Sequence, residues 1–254
     1  TISAGTVFYP QAGKDYLVLH KHAEAAMDMA KRDGKNKNCM FTKDQYNRWV
    51  RSISMRDSLW DSVENGCLGF SLYYQPQISA VDQKLIGAEA LLRWKDELYG
   101  QVSPELFIPI ATKLALYKHI SFFIAHRALH DLQHLLKQDS NLMVSLNISN
   151  YEITKPEYLD YLHKQVILHD IKPHQIKLEI TERINEYHQK ISEFAIAARK
   201  KGFKVSLDDF GTGASNIVWL TSIDFDEIKL DKIFIHGLHE ELKRDLFIST
   251  YTGP

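Results

Sequence analysis

The chain has 254 residues, of which 44% are hydrophobic and 25% charged, with a formal net charge of −1. That composition belongs to one large globular domain or two modest ones, and it provides no global field that would draw a nucleic-acid polymer. Cys39 and Cys67 are too few for a disulfide framework and fit a reducing cytoplasm. No apolar stretch reaches membrane-span length and the N-terminus lacks a signal-peptide pattern, so a soluble chain is expected, with an upstream anchor in a longer parent left open.

Residues 1–10 read as a strand with no preceding turn or cap, as though the chain starts inside a fold. From His20 to Arg32, Ala23, Ala26, Met27 and Ala30 recur at helical spacing, and Gly34 closes the run as a C′ glycine would. Thr42 and Gln45 form a capping-box pattern ahead of Tyr46, Trp49, Val50, Ile53, Trp60 and Val63, which predicts one long amphipathic helix joining two bodies. Its other face mixes Arg48, Arg51, Arg56, Asp57 and Asp61, which favours packing on an adjoining domain over a membrane role. From Phe70 onward strands alternate with helices. Strands are expected at 72–79, 86–94, 144–148, 176–180, 205–207 and 228–230. Helices are expected over 107–116 and 119–137, through Tyr158, Leu162 and Leu168, and through Ile191, Phe194, Ala195 and Ala198. Such βα units predict parallel strands with helices outside, in an open doubly wound sheet or a barrel, with ligands at the C-terminal strand ends.

Those ends are where the acids fall. Val205-Ser206-Leu207 stops at Asp208-Asp209 before the turn Gly211-Thr212-Gly213. Two adjacent carboxylates repel, so a cation is expected to neutralise them, although turn and helix-cap chemistry is an equal reading of this stretch alone. Three more apolar runs end alike: Ile86-Gly87-Ala88 at Glu89, Val144-Ser145-Leu146 at Asn147, and Ile176-Lys177-Leu178 at Glu179. An all-oxygen set of this kind suits a hard cation, Mg²⁺ or Mn²⁺, better than zinc. His126, His130 and His134 also share one helix face and could hold zinc, but with no cysteine on that helix they are read as a solvated edge.

Seven motifs in order across 70–235 carry a resemblance: Tyr74-Gln75-Pro76, Glu89-Ala90-Leu91-Leu92-Arg93-Trp94, Phe107-Ile108-Pro109, Leu146-Asn147-Ile148-Ser149, Leu178-Glu179-Ile180-Thr181-Glu182, Asp208 through Gly213, and Lys229-Leu230-Asp231. Together they resemble EAL domains, cyclic-di-GMP phosphodiesterases on a modified TIM barrel. Upstream, Ser3-Ala4-Gly5, Tyr9-Pro10, Gly13, His22 to Met27, Ala30-Lys31 and Gly34-Lys35-Asn36 resemble the C-terminal part of a GGDEF (diguanylate cyclase) domain, with Lys31 expected to be only a solvated charge. The expected architecture is α/β. Residues 1–43 would be an α+β GGDEF remnant, 44–65 a linker helix, and 66–254 an EAL-type (β/α)8 barrel lacking its last two strands. After Ile233 only one charged helix, 238–246, is expected, and the incomplete barrel should be marginally stable or self-associate.

The resemblance implies a two-metal site. Glu89, Asn147, Glu179 and Asp208 would hold one ion and Asp209 would help hold the second. Lys229 would orient the attacking water or neutralise charge, and Glu182 would anchor the turn after Asp209. Arg93 would grip a phosphate, with Gln75 and Leu91 lining the substrate groove. Departures at Ala111-Thr112, Ala115 and Ala214-Ser215-Asn216 fall outside that set. The implied function is metal-dependent hydrolysis of cyclic-di-GMP to linear pGpG in a bacterial signalling protein, impaired by the missing end. The alternative is a catalytically inactive cyclic-di-GMP-binding or partner-docking module. A homodimer is left open as a partner state, and the cytoplasm is the expected location.

Overall fold

The computed structural model describes residues 2–181, 188–210 and 223–231. In chain order the elements are β1 (Ala4–Thr6), α1 (Tyr16–Arg32), β2 (Asn38–Met40), α2 (Lys43–Glu64), β3 (Phe70–Ile78), β4 (Leu85–Asp96), β5 (Gly100–Val102), α3 (Pro104–Lys113), α4 (Tyr117–Leu135), β6 (Met143–Ile148), α5 (Asn150–Ile153), α6 (Pro156–Leu168), β7 (Ile176–Thr181), α7 (His188–Lys200), β8 (Lys204–Phe210) and β9 (Glu227–Leu230). They group into two compact units, Thr1–Leu68 with Asp96–Leu114, and Gly69–Lys95 with Ala115–Pro254. None of the described helices is long and apolar enough to cross a membrane. The helix expected over 238–246, and with it the missing-strand expectation, falls outside the described residues.

In the first unit α1 starts at Tyr16, earlier than the apolar spacing suggests, because the Asp15 carboxylate accepts from the N–H of Leu17 at 2.8 Å and caps the helix. The strand expected over 1–10 shortens to β1, which runs parallel to β2 with Ala4 beside Asn38. A Cβ on Gly5 would stand 2.1 Å from the Ala23 carbonyl oxygen, so only glycine lets β1 lie this close to α1. Lys31 is half exposed beside Asp28, 3.8 Å away. Thr42 caps α2 through its Oγ1, which accepts from the Gln45 N–H at 3.2 Å.

The second unit carries the sheet, in the order β3-β4-β6-β7-β8-β9. From β4 to β9 neighbouring strands are parallel, as the βα repeats predict. The first pair corrects the expectation of parallel strands throughout, since β3 and β4 are antiparallel. Only residues 79–84 separate them, too few for the crossover that a parallel pair requires and enough for a reversing turn.

Alternation along these strands sorts the side chains onto two faces. Ala90, Leu146, Leu178, Val205 and Leu207 join one apolar core with Ala128, Leu132, Leu162, Phe194 and Ala198 of α4, α6 and α7. The intervening residues, including Gln75, Gln77, Glu89, Ser145, Asn147, Lys177, Glu179, Ser206 and Asp208, occupy the opposite face. That face is polar, where a TIM-type interior is commonly filled with branched aliphatic side chains.

Candidate functional site

The polar face converges at Glu89, in the middle of the long strand β4, and at the C-terminal parts of β6, β7, β8 and β9. Glu89, Glu179 and Asp208 each offer a carboxylate oxygen within 4.8 Å of the others. Lys229 reaches all three, its Nζ lying 2.9 Å from Glu89 Oε2, 2.5 Å from Glu179 Oε2 and 3.3 Å from Asp208 Oδ1. Asn147 donates its Nδ2 to the other Glu89 oxygen at 2.8 Å. In-register pairing brings them together: Asn147 lies beside Glu179 on β6 and β7, and Thr181 beside Asp208 on β7 and β8.

Lys229 offsets only part of the charge, since one ammonium faces three carboxylates. Glu179 is fully buried, and burial raises its carboxyl above the ordinary value, with the Glu89 charge adding to the rise and Lys229 opposing it. For Lys229 burial works toward a lower value, but the hydrogen bonds and charges of Glu179, Glu89 and Asp208 outweigh it and hold the ammonium above its usual range. Glu179 Oε1 is buried and has no hydrogen-bond partner among the described residues. An acceptor stranded in this way among other carboxylates fits an all-oxygen seat for a hard divalent cation.

Asp209 lies outside that group of three. A regular strand would send Asp208 and Asp209 to opposite faces, but the β8–β9 register shifts between Leu207 and Phe210 and Asp209 adopts a φ of +55°. A non-glycine residue held there is strained backbone at the strand end, a feature that concentrates at functional sites. Glu182 lies outside the described residues. Gln75 sits directly opposite Glu89 in the β3–β4 pair, while Leu91 and Arg93 follow Glu89 at two-residue steps on the same face.

The histidine face brings only two of its three rings together, His130 and His134 at 4.6 Å between centroids. His130 pairs with Asp131 at 3.2 Å, His134 Nδ1 meets the His130 carbonyl at 2.8 Å, and His126 sits edge-on to His169. Among the described residues the carboxylate cluster is the one grouping of metal-type side chains.

Two features of the site escaped the sequence reading. Lys177, with a side chain only 4% exposed, pairs with Glu227 at 2.6 Å below the cluster. Glu152, buried just after Asn147, accepts from the Ser121 hydroxyl at 2.6 Å and the Ser149 N–H at 2.9 Å, fixing the turn that follows β6. The signal for the first was period two, since Lys177 precedes Glu179, and Glu227 precedes Lys229, by one two-residue step. For the second it was Ser149 followed three residues later by Glu152, a capping box.

Parallel strands delivering carboxylates and a lysine to one sheet end define a TIM-like α/β protein built for a cationic ligand site. The sequence profile of the EAL domain family matches residues 56–251, and the chain belongs to that family. The biofilm architecture maintenance protein MbaA of Vibrio cholerae is 32% identical over 245 residues, covering 94% of this chain and 30% of MbaA. The probable cyclic di-GMP phosphodiesterase PdeB of Escherichia coli is 32% identical over 192 residues, covering 75% of this chain and 37% of PdeB. Among solved structures, the EAL enzyme Bd1971 in its cAMP- and cyclic-di-GMP-bound form superposes with a TM-score of 0.71 at 27% identity, covering 93% of this chain and 62% of that one. The PaMucR phosphodiesterase in complex with c-di-GMP gives 0.65 at 25% identity, covering 77% and 78%. The chain spans about a third of the length of the curated relatives it matches.

Proposed function

We propose that this chain hydrolyses cyclic-di-GMP to the linear dinucleotide pGpG, with Mg²⁺ or Mn²⁺ bound at the carboxylate cluster. The observation that carries this reading is the meeting of Glu89, Glu179, Asp208 and Lys229 on one face of neighbouring parallel strands. Membership of the EAL family and the cyclic-di-GMP complexes of its solved relatives support it. A module that only bound the dinucleotide would have no need of a full set of cation ligands.

In this reading Glu89, Asn147 Oδ1, Glu179 and Asp208 hold the first cation, and Asp209 helps to hold a second. Bound there, the cations supply Lewis-acid stabilisation of the oxygens in an in-line displacement at phosphorus. Lys229 carries three N–H donors and no acceptor, so it steadies the attacking water or a phosphate oxygen by donation and neutralises charge as it develops. Arg93 takes a phosphate oxygen while Gln75 and Leu91 line the groove, and Glu182 anchors the turn after Asp209. Residues 1–43 are proposed as a GGDEF-like segment, 44–65 as the helix that joins it to the EAL-like body, and the cytoplasm as the site of action.

The test is chromatography of cyclic-di-GMP incubated with the purified chain and Mn²⁺, beside EDTA and Asp208→Ala controls. Linear pGpG is expected from the unaltered chain and from neither control. Intact substrate in every sample, or product from Asp208→Ala at the unaltered rate, would reject the reading.

A further inference from the structure

Tyr73 and Tyr74 are adjacent on β3 and face opposite ways. Tyr74 turns to the helices, and its hydroxyl donates to Asp131 at 2.9 Å. Tyr73 turns to the mouth of the site and is 59% exposed. It stands directly opposite Leu91, one two-residue step, about 7 Å, from the Gln75–Glu89 pair. The Arg93 guanidinium carbon lies 5.6 Å from the centre of its ring. Arg93 also donates to the Leu92 carbonyl at 3.0 Å, and among the described residues no carboxylate pairs with it. A large aromatic ring is therefore braced on one side by a cation and left open to solvent beside the residues proposed to line the groove.

We propose that Tyr73 is a base-stacking residue of this site, taking a purine of the dinucleotide on the ring face that Arg93 does not cover. The inference rests on the phosphodiesterase reading and adds to it a residue that sets how the ligand is held. An exposed ring is a sequence-tolerant platform for a nucleobase, and an arginine behind it contributes cation–π attraction and keeps the ring from rotating freely. Stacking orients the dinucleotide over Glu89 and forms no bond with the reacting phosphate. Its loss should appear mainly in binding.

The experiment is equilibrium binding of cyclic-di-GMP in Ca²⁺, followed by steady-state hydrolysis in Mn²⁺, for the unaltered chain, Tyr73→Ala and Tyr73→Phe. Because Tyr73 is exposed and outside the core, Tyr73→Ala should keep the unaltered melting curve. It is expected to weaken binding about tenfold and to raise KM more than it lowers kcat. Tyr73→Phe, which keeps the ring, should restore most of the affinity. Equal affinity in the unaltered chain and Tyr73→Ala would overturn the stacking role and leave the phosphodiesterase reading intact. An unaltered chain that neither binds nor hydrolyses the dinucleotide would overturn both.

Discussion

Burial makes the protonation of single carboxylates a lever on stability, and Glu152 is the clearest instance. Its carboxyl is buried and raised above the ordinary value by that burial, against hydrogen bonds from Ser121 and Ser149, with Tyr117, Tyr151 and Tyr158 as titratable neighbours. A raised value means that the folded chain holds a proton the unfolded chain has released. The associated stability is complete below the unfolded carboxylate value and drains away as pH rises through the folded one. Glu152→Gln keeps the S-x-x-Q form of the capping box and cannot ionise. Melting temperatures measured from acid to neutral pH should therefore fall less steeply for Glu152→Gln than for the unaltered chain, and parallel curves would contradict the assignment. Residue types at strand ends made Glu89, Asn147, Glu179 and Asp208 legible in advance. Tyr73 was not, because two identical neighbours reveal their opposite roles only once the strand's facing is known.

At the scale of elements, β7 and β9 exchange charges in a crossed pattern across β8. Lys177 pairs with Glu227, and one step up Glu179 pairs with Lys229. The lower pair is asymmetric, with Lys177 4% and Glu227 40% exposed. Removing Glu227 leaves a buried ammonium with only the neutral Gln77 Oε1 as acceptor, at 3.4 Å, whereas removing Lys177 leaves a carboxylate that water can reach. In urea unfolding, Glu227→Leu should cost up to about 3 kcal/mol, the low end for a broken buried pair, because Glu227 is itself partly exposed and Lys177 keeps the Gln77 acceptor, and Lys177→Met should cost less. The double variant should recover part of the Glu227→Leu loss, since no charge is then left buried. A larger loss for Lys177→Met, or strictly additive losses, would contradict this picture. Strands β3, β4, β6, β7, β8 and β9 followed from the alternating patterns, whereas the three-residue strands β2 and β5 are too short to show one. The antiparallel direction of β3 against β4 did not, because alternation carries no sense of direction and only the short 79–84 connection encodes it.

For the whole molecule, the second unit divides its chemistry by face, apolar toward α4, α6 and α7 and polar toward the cluster. The division was legible wherever strands ended on oxygen donors, and less so where polar residues stood mid-strand, as at Ser145, Lys177 and Ser206. A mid-strand serine or lysine carries no sign of which face it occupies until the neighbouring strands fix that face. If the polar face is a cation site, its ligands must act on the ion before any substrate is present. Calorimetric titration of Mn²⁺ into the purified chain, with Glu179→Gln and Asp208→Ala alongside, tests this most directly. The unaltered chain should bind Mn²⁺, and each variant should lose at least the ~10–100-fold in affinity that even residues supporting a metal's ligands contribute. Mn²⁺ binding of equal strength in all three chains would contradict the assignment of the carboxylate cluster as the metal seat.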